Sequence, residues 1–157
     1  MKFENIVKKL IKNSMTISTM ESCTGGGIVN AITNVEGSSE VIKFSAVTYS
    51  NEFKIRMGVS SKTIDKYTVY SMEVADEMSK AICEFTSSDF GIGVTGKLNR
   101  VDKSNPYGSN NVVFISIYDR KSNKYYNSIV EALKDTRDIN KELIIDRVIN
   151  MLNSILE

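Results

Sequence analysis

Strand-like and helix-like segments alternate along most of this chain, and that alternation restricts its fold more than any other feature. Residues 3–13 place apolar side chains at helical spacing, whereas residues 15–20 (MTISTM) alternate and carry β-branched side chains. The same two patterns predict helices over 27–34, 51–57, 62–67 and 72–87, and strands over 44–49 and 90–95. Because such alternation builds a parallel sheet covered by helices, we expect a mainly parallel sheet.

The last third of the sequence adds a different pattern. Residues 96–110 form a polar loop with the only proline of the chain, and residues 111–118 and 124–132 flank the polar turn DRKSN as a hairpin. Residues 138–156 close the chain as a helix. A hairpin added to parallel strands predicts a three-layer α/β/α sandwich with a mixed, mainly parallel sheet. The length fits a single domain over residues 1–157.

Serines precede several of the predicted helices. Ser50, Ser61 and Ser71 stand where a hydroxyl can accept a hydrogen bond from the first free N–H groups, so each is a predicted N-cap, and Gly58 can end the helix that follows Ser50. In the helix over 72–87, the side chains expected to face the core are Val74, Ala75, Met78, Ile82 and Phe85.

The chain contains no histidine. A Ser-His-Asp triad, a Cys-His pair and a histidine-ligated zinc site are therefore excluded within one chain, and two cysteines supply at most half of a tetrahedral zinc site. A hydrolase with this sequence needs lysine, tyrosine or a carboxylate as its base, or a metal bound by oxygen ligands.

Charge and hydropathy exclude two kinds of partner. The 20 basic and 19 acidic residues are well mixed, whereas a nucleic-acid interface needs a basic face. No apolar run reaches the roughly 18 residues that a membrane helix needs, and residues 1–14 lack a secretory pattern. Cys23 and Cys83 are too few for a disulfide scaffold. We therefore expect a cytoplasmic protein with no nucleic-acid or membrane partner.

A glycine-rich segment, ESCTGGG, lies between a predicted strand and a predicted helix at residues 21–27. Ligands in open α/β sheets bind at the carboxyl ends of strands. Glycines at this place let the backbone approach a ligand, and the helix start offers free N–H groups to an anion or oxyanion. From this segment alone, a tight turn without a ligand is an equal alternative. Cys23 is a rival nucleophile to Ser22, but with no histidine to activate it we interpret it as a packing residue.

A second segment, TYSNEFK at residues 48–54, joins another predicted strand to a helix. Tyr49 closes the strand, and Lys54 lies one helical turn after Ser50. A solvated lysine is the plain alternative here. In a chain without histidine, however, Lys54 can act as the base for a serine if burial or a neighbouring cation lowers its pKa.

Three further candidates are weaker when taken singly. Ser38 and Ser39 follow Gly37, where a helix cap is the plain alternative to a pocket role, while Thr95 ends a strand at the expected ligand edge. Arg137 precedes the last helix, where its planar guanidinium suits a phosphate or carboxylate.

Together these segments resemble a known family. The blocks are ESCTGG at 21–26, GSS at 37–39, VTYSNEFK at 47–54, VTG at 94–96, PYG at 106–108 and DTR at 135–137. In this order they are similar to the CinA C-terminal domain family, whose stand-alone members are nicotinamide-nucleotide amidases (PncC). The resemblance runs from about Met15 to Thr95 and resumes from Pro106 to the end of the chain.

The resemblance implies an activity and a set of roles. The family hydrolyses the carboxamide of nicotinamide mononucleotide to nicotinate mononucleotide and ammonia, in NAD salvage, without a metal or cofactor. By the match of motifs, Ser22 is the nucleophile, and Tyr49 and Lys54 act with it in catalysis. Ser39, Thr95 and Arg137 belong to the same pocket, the turn of Thr24, Gly25 and Gly26 supports the oxyanion, and Arg137 with Lys141 holds the phosphate. A homodimer is a further expectation of the resemblance.

One segment departs from the family. After VTG the family usually continues with IAGP and a glycine-rich stretch, whereas residues 97–105 here are KLNRVDKSN. The bulky side chains of Lys97, Leu98, Arg100 and Val101 make positive φ costly, so this segment is expected to take another path and to alter substrate binding. The alternative function is therefore a nucleotide-binding or interaction domain of the same fold with weakened or lost turnover.

Overall fold

The computed structural model describes residues 2–157. The helices are α1 (Glu4–Lys12), α2 (Gly27–Thr33), α3 (Asn51–Arg56), α4 (Ser61–Tyr67), α5 (Met72–Thr86) and α6 (Arg137–Ile155), with one 3₁₀ turn at Ser38–Glu40. The strands are β1 (Ile17–Glu21), β2 (Ala46–Val47), β3 (Phe90–Gly96), β4 (Val112–Asp119) and β5 (Lys124–Glu131). Within residues 2–157, none of the helices has the length and hydropathy needed to cross a membrane.

The five strands form one mixed sheet in the order β2-β1-β3-β4-β5. β1 pairs in parallel with β2 and with β3, and the β4–β5 hairpin extends the sheet in antiparallel fashion from β3. The mixed sheet is confirmed, with parallel and antiparallel pairings in equal number rather than with a parallel majority. β2 has only two residues because it pairs with β1 at Met20–Ala46 and Glu21–Val47 alone.

Helices cover both faces of the sheet, which confirms the three-layer α/β/α architecture. α1, α2 and α6 pack together on one face over a core that includes Ile17, Ile92 and Ile115. α5 covers the other face and packs on β1, β3 and β4. The close approach of α5 requires glycine in β3, since a Cβ added at Gly93 would lie 2.4 Å from the backbone oxygen of Ala75.

The predicted helix caps are confirmed at two of three positions. The hydroxyl of Ser50 accepts a hydrogen bond from the N–H of Phe53 at 3.2 Å, and the hydroxyl of Ser71 accepts one from Val74 at 3.3 Å. The prediction for Ser61 was wrong by one residue, because the N-cap position of α4 is Ser60 and Ser61 already has helical geometry.

The prediction that Phe85 faces the core was also wrong. The buried positions of α5 run through Val74, Ala75, Met78, Ile82 and Cys83, so the next position of that stripe is residue 86. Phe85 lies off the stripe, is 65% exposed, and packs against Phe44 with ring centroids 5.3 Å apart.

Candidate active site

The turn after β1 is fixed by a buried glutamate that the sequence analysis did not single out. Glu21 is the last residue of β1 and is fully buried. Its carboxylate accepts hydrogen bonds from the hydroxyl of Thr24 at 2.7 Å and from the N–H groups of Ile28 and Val29 at 2.9 Å each, and a fourth from Thr19 at 3.0 Å. Glu21 therefore caps α2 from the strand side and holds Ser22 at the carboxyl end of the sheet. An acidic residue directly before a glycine-rich helix start was the available sequence signal.

The glycines of this turn adopt conformations that other residues avoid. Gly25 has φ of 62° and Gly26 has φ of 94°. The N–H groups of Gly25 and Gly27 donate to the carbonyls of Ser22 and Thr24, at 2.9 and 3.0 Å. Within residues 2–157, the N–H groups of Cys23, Thr24 and Gly26 have no such partner. The turn thus leaves three main-chain donors in the residues that follow Ser22.

Ser22 and Lys54 are brought together although they are far apart in sequence. The Nζ atom of Lys54 donates to the Oγ atom of Ser22 at 3.1 Å and to the carbonyl oxygen of Thr48 at 2.6 Å. Lys54 is only 2% exposed, and Ser22 is also buried. α3 is responsible for this placement, since the helix starts next to the end of β2 and turns Lys54 inward.

Burial changes the acid–base behaviour of Lys54. Removal of the ammonium from water lowers its pKa from 10.5 to about 8. At pH 7 about a tenth of such lysines carry a neutral amine, compared with a negligible fraction for an exposed lysine. Lys54 can therefore accept a proton near neutral pH, and Ser22 is the hydroxyl beside it.

Cys23 packs in the core, as interpreted from the sequence. It is 4% exposed and belongs to the apolar cluster under α1, α2 and α6. Burial raises the pKa of the Cys23 thiol to about 12. The thiol is therefore protonated at neutral pH and is a poor nucleophile.

Within residues 2–157, the Tyr49 hydroxyl hydrogen-bonds Arg137 and makes no hydrogen bond to Ser22 or Lys54. The Tyr49 side chain is 63% exposed, and its hydroxyl accepts a hydrogen bond from the Nη2 atom of Arg137 at 3.2 Å. Arg137 is the first residue of α6. The structure therefore does not place Tyr49 as a proton relay between Ser22 and Lys54, but as a partner of the candidate phosphate ligand.

A second cation of α6 lies over the glycine turn. The amine of Lys141 is 3.4 Å from the point where a Cβ on Gly25 would lie. Arg137 and Lys141 are four residues apart on α6, so both side chains project from the same helix face. The two cations lie close to the turn that carries Ser22.

Of two further sequence-predicted pocket residues, the structure brings Thr95 next to Ser22 but not Ser39. The N–H of Ser22 donates to the carbonyl of Val94 at 3.1 Å, so Thr95 is the neighbour of Ser22 across the β1–β3 pair. The hydroxyl of Thr95 is fully buried and donates to the carbonyl of Val69 at 3.0 Å, so it also holds the segment before α5. Ser39 lies in the 3₁₀ turn, and that turn leads to Val41, whose carbonyl accepts from the N–H of Ile17 at 2.8 Å. Ile17 begins β1 and Ser22 follows its end. Ser39 is therefore near the amino end of β1, and the length of the strand, roughly 16 Å, separates that end from Ser22.

The segment 97–105 turns two of its bulky side chains inward. Lys97 is buried, donates to the carbonyl of Tyr107 at 2.8 Å, and lies 4.8 Å from the ring centroid of Tyr70. Leu98 joins the main core cluster. The positive φ that the segment requires falls on Asn99, a residue that tolerates it, rather than on Val101.

The same segment is tied to the elements around Lys54 by residues that sequence reasoning missed. The hydroxyl of Tyr70 donates to the carboxylate of Asp102. Asn105 exchanges hydrogen bonds with Asn51, at 2.9 and 3.4 Å, and Asn51 is the first residue of the helix that carries Lys54. These contacts join residues far apart in sequence, and no local motif predicts them.

The fold and the site define a class of domain. It is an α/β/α sandwich with a buried serine–lysine pair at the carboxyl end of β1, the second strand in the order of the sheet. The chain belongs to the CinA C-terminal domain family, whose model matches residues 2–156.

Relatives with known names agree with this assignment. A "CinA-like protein" of Endomicrobium trichonymphae is 38% identical over 120 residues, which is 74% of this chain and 27% of that relative. A "Putative competence-damage inducible protein" of Clostridium kluyveri is 40% identical over 121 residues, 76% of this chain and 29% of that relative. The matched part therefore spans less than a third of the length of these relatives.

Solved structures share the fold. A CinA superfamily protein from Enterobacter cloacae aligns with a TM-score of 0.88 at 22% identity, over 100% of this chain and 94% of that chain. The competence/damage inducible protein CihA from Agrobacterium tumefaciens aligns with a TM-score of 0.84 at 24% identity, over 99% and 96% of the two chains.

Proposed function

We propose that this domain is an amidase that hydrolyses the carboxamide of nicotinamide mononucleotide to nicotinate mononucleotide and ammonia. The observation that carries the proposal is the hydrogen bond between Lys54 Nζ and Ser22 Oγ, 3.1 Å long and buried, together with the lowered pKa of Lys54. A buried serine is activated as a nucleophile when the lysine beside it carries a neutral amine near neutral pH.

In the first half of the proposed reaction, neutral Lys54 takes the proton of the Ser22 hydroxyl as Oγ attacks the carboxamide carbon. The carbonyl oxygen becomes an oxyanion, for which the N–H groups of Cys23, Thr24 and Gly26 are the unused donors at the turn. The Lys54 ammonium then gives its proton to the amide nitrogen, the C–N bond breaks, and ammonia leaves an acyl ester on Ser22.

In the second half, Lys54 takes a proton from a water molecule that attacks the ester carbon. Collapse of the second tetrahedral intermediate breaks the bond to Oγ, and Ser22 recovers its proton from Lys54. One water is consumed, and the carboxylic acid and ammonia that are produced become carboxylate and ammonium by transfer of one proton. All proton transfers use the same amine, so the scheme requires no metal or cofactor.

The nucleotide phosphate is assigned to the amino end of α6. Arg137 offers a planar pair of donors for phosphate oxygens, and Lys141 adds a second positive charge over the glycine turn. Tyr49 supports this role by holding the Arg137 guanidinium at 3.2 Å. In this proposal Tyr49 orients the phosphate ligand rather than relaying a proton.

The second candidate function is a nucleotide-binding or interaction domain without turnover. The segment 97–105 favours it, because Lys97 and Leu98 fill space that a glycine-rich loop would leave open. Ammonia release from the purified protein with nicotinamide mononucleotide separates the two candidates. We expect release that depends on Ser22, and binding of the nucleotide without ammonia would establish the second candidate.

The remaining expectations belong to the same proposal. A single domain over residues 1–157, a cytoplasmic location and a homodimer stay predictions. Size-exclusion chromatography with light scattering measures the oligomeric state of the purified chain. A monomer would remove the homodimer from the proposal without affecting the amidase reaction.

A further inference from the structure

The side chain of Tyr49 spans the interval between the Ser22–Lys54 pair and Arg137. The carbonyl oxygen of Thr48, the residue before it, accepts a hydrogen bond from Lys54 Nζ at 2.6 Å. The dimensions of one peptide unit keep the Cα atom of Tyr49 within about 3 Å of that oxygen, and so within about 6 Å of the amine. At its other end, the Tyr49 hydroxyl is 3.2 Å from the Nη2 atom of Arg137.

A substrate of the proposed reaction spans the same interval. Its carboxamide reacts at Ser22 and its phosphate is assigned to Arg137, so its ring and ribose lie between these two residues. Because the carboxamide is bonded directly to the ring, the ring lies at the Ser22 end of the interval. It is therefore next to the aromatic part of Tyr49, and the ribose and phosphate lie towards the tyrosine hydroxyl.

The ring of Tyr49 has an accessible face. The side chain is exposed, and Arg137 meets it at the hydroxyl on its rim. Over residues 2–157, no second aromatic ring packs on Tyr49 and no lysine or arginine lies over its face. The nearby exposed ring of Phe53 differs, since the guanidinium carbon of Arg56 lies 5.3 Å from its centroid. Tyr49 therefore offers a free aromatic surface to a ligand.

The charges at this place are unfavourable to a cationic ring unless an electron-rich surface is beside it. Arg137 and Lys141 attract a phosphate, and by the same charge they repel a positive ring. In the described chain, residues 2–157, neither cation forms an ion pair with a carboxylate that would cancel its charge. The face of a tyrosine ring carries negative partial charge and attracts a cation within about 6 Å of its centroid.

We propose that the face of Tyr49 binds the positively charged ring of the substrate by a cation–π contact, and that Tyr49 is thereby a specificity-determining residue for cationic heteroaromatic carboxamides. The inference rests on the proposed function, in which the pyridinium ring of nicotinamide mononucleotide is that cation. A neutral ring of the same shape gains the flat contact with Tyr49 but not the attraction between charge and aromatic face.

The experiment compares two ligands that differ in ring charge. Nicotinamide mononucleotide has a cationic ring, and its reduced dihydro form has a neutral ring with the same ribose, phosphate and carboxamide. Calorimetry measures the affinity of both ligands for the full chain carrying Ser22→Ala, so that neither ligand is hydrolysed. The quantity compared between variants is the ratio of the oxidised to the reduced affinity.

Two substitutions at Tyr49 separate its ring from its hydroxyl. Tyr49→Phe and Tyr49→Leu both lose the hydroxyl that contacts Arg137, and only Tyr49→Leu also loses the aromatic face. Because the side chain is exposed, neither change removes a group from the core. We expect Tyr49→Phe to keep the ratio of the parent chain, and Tyr49→Leu to lower it about fivefold by weakening the oxidised form more than the reduced one.

A matched control is available at the opposite end of the sheet. Phe85 is an aromatic residue of similar exposure near the end of α5, and its ring packs on Phe44 with centroids 5.3 Å apart. The chain enters β3 at Phe90 soon after α5 ends, so Phe85 lies near the amino end of that strand and away from Ser22. Phe85→Leu should leave the ratio unchanged.

The parallel assay of ammonia release, with Ser22 intact, separates this inference from the amidase proposal. A ratio in Tyr49→Leu that equals or exceeds that in Tyr49→Phe would overturn the role of the ring, and so would a parent chain that binds neither nucleotide. Ammonia release with such a result leaves the amidase standing without the cation–π contact. A ratio that falls only in Tyr49→Leu, with no ammonia release, leaves selection of a cationic ring by Tyr49 and sinks the amidase.

Discussion

The amine of Lys54 lies 3.1 Å from the hydroxyl oxygen of Ser22, and both side chains are buried. The contact spans 32 residues of sequence, and it is made because α3 starts at the end of β2 while Ser22 follows the adjacent β1. Burial of a charged amine is unfavourable, so this arrangement is retained at a cost to stability that a purely structural role would avoid. The first two predictions test the roles of these side chains in catalysis, and the third measures the cost to stability.

Replacement of Ser22 by alanine should abolish ammonia release, by at least about a thousandfold in kcat, while the protein stays folded. The matched control is Cys23→Ala at the next position, which should keep most of the activity because the buried thiol stays protonated. Activity is measured by ammonia release and folding by circular dichroism. An inactive Cys23→Ala beside an active Ser22→Ala would assign the nucleophile to the cysteine.

Replacement of Lys54 by arginine should be nearly as damaging as replacement by alanine. Arginine keeps the positive charge but does not deprotonate at any pH where proteins are stable, so a base is lost in both variants. In the wild type, kcat/KM should rise with pH up to about 8, where the amine becomes neutral. Substantial activity in Lys54→Arg would show that only the charge matters.

The stability of the protein should depend on pH through Lys54. Burial lowers the pKa of Lys54 from 10.5 to about 8, so between these pH values the unfolded chain binds a proton that the folded chain does not. The free energy of unfolding of the wild type should therefore rise relative to Lys54→Met between about pH 8 and pH 10.5, by up to about 3 kcal/mol. Urea unfolding at several pH values measures the difference. A constant difference over this range would contradict the lowered pKa.

Loss of the Arg137 guanidinium should weaken nucleotide binding. A charge-assisted contact to phosphate contributes about 1.5–3 kcal/mol, so Arg137→Ala should reduce affinity for nicotinamide mononucleotide ten- to a hundredfold. Binding of free nicotinamide, which has no phosphate, should hardly change. Tyr49→Phe removes only the hydroxyl that contacts Arg137, so it should have a smaller effect of the same kind. Calorimetry that finds equal nucleotide binding in wild type and Arg137→Ala would refute the phosphate assignment.

The carboxylate of Glu21 should be essential for the shape of the turn. Glu21→Gln is nearly isosteric but points an NH₂ group at donors that now face the carboxylate, so at least one buried N–H or hydroxyl loses its partner. We expect a loss of about 1–3 kcal/mol in the free energy of unfolding, with a lower kcat as Ser22 shifts. The control Glu40→Gln changes an exposed glutamate and should leave both quantities unchanged. A fully stable and active Glu21→Gln would show that the turn keeps its conformation without the Glu21 carboxylate.

Local patterns in the sequence were sufficient for the secondary structure and for the position of the turn that carries Ser22. Periods of 3.6 and 2 residues depend only on which face of an element is buried, so the helices and strands were predicted within a few residues of their observed bounds. The errors at Ser61 and Phe85 arose where one residue decides whether a side chain lies on the buried stripe. The candidate roles of Ser22 and Lys54 came from a resemblance, and their proximity came from the structure.

By itself the sequence determined the elements, the absence of a histidine base and the family motifs. Only the tertiary structure decided that Lys54 is buried beside Ser22, that Tyr49 contacts Arg137 across 88 residues, and that Ser39 lies at the far edge of the sheet. Hydrogen bonds between distant segments and the pKa of a buried amine depend on what surrounds a side chain in space. Sequence spacing does not contain that information, because the surroundings are assembled by the packing of α3, α5 and α6 around the sheet.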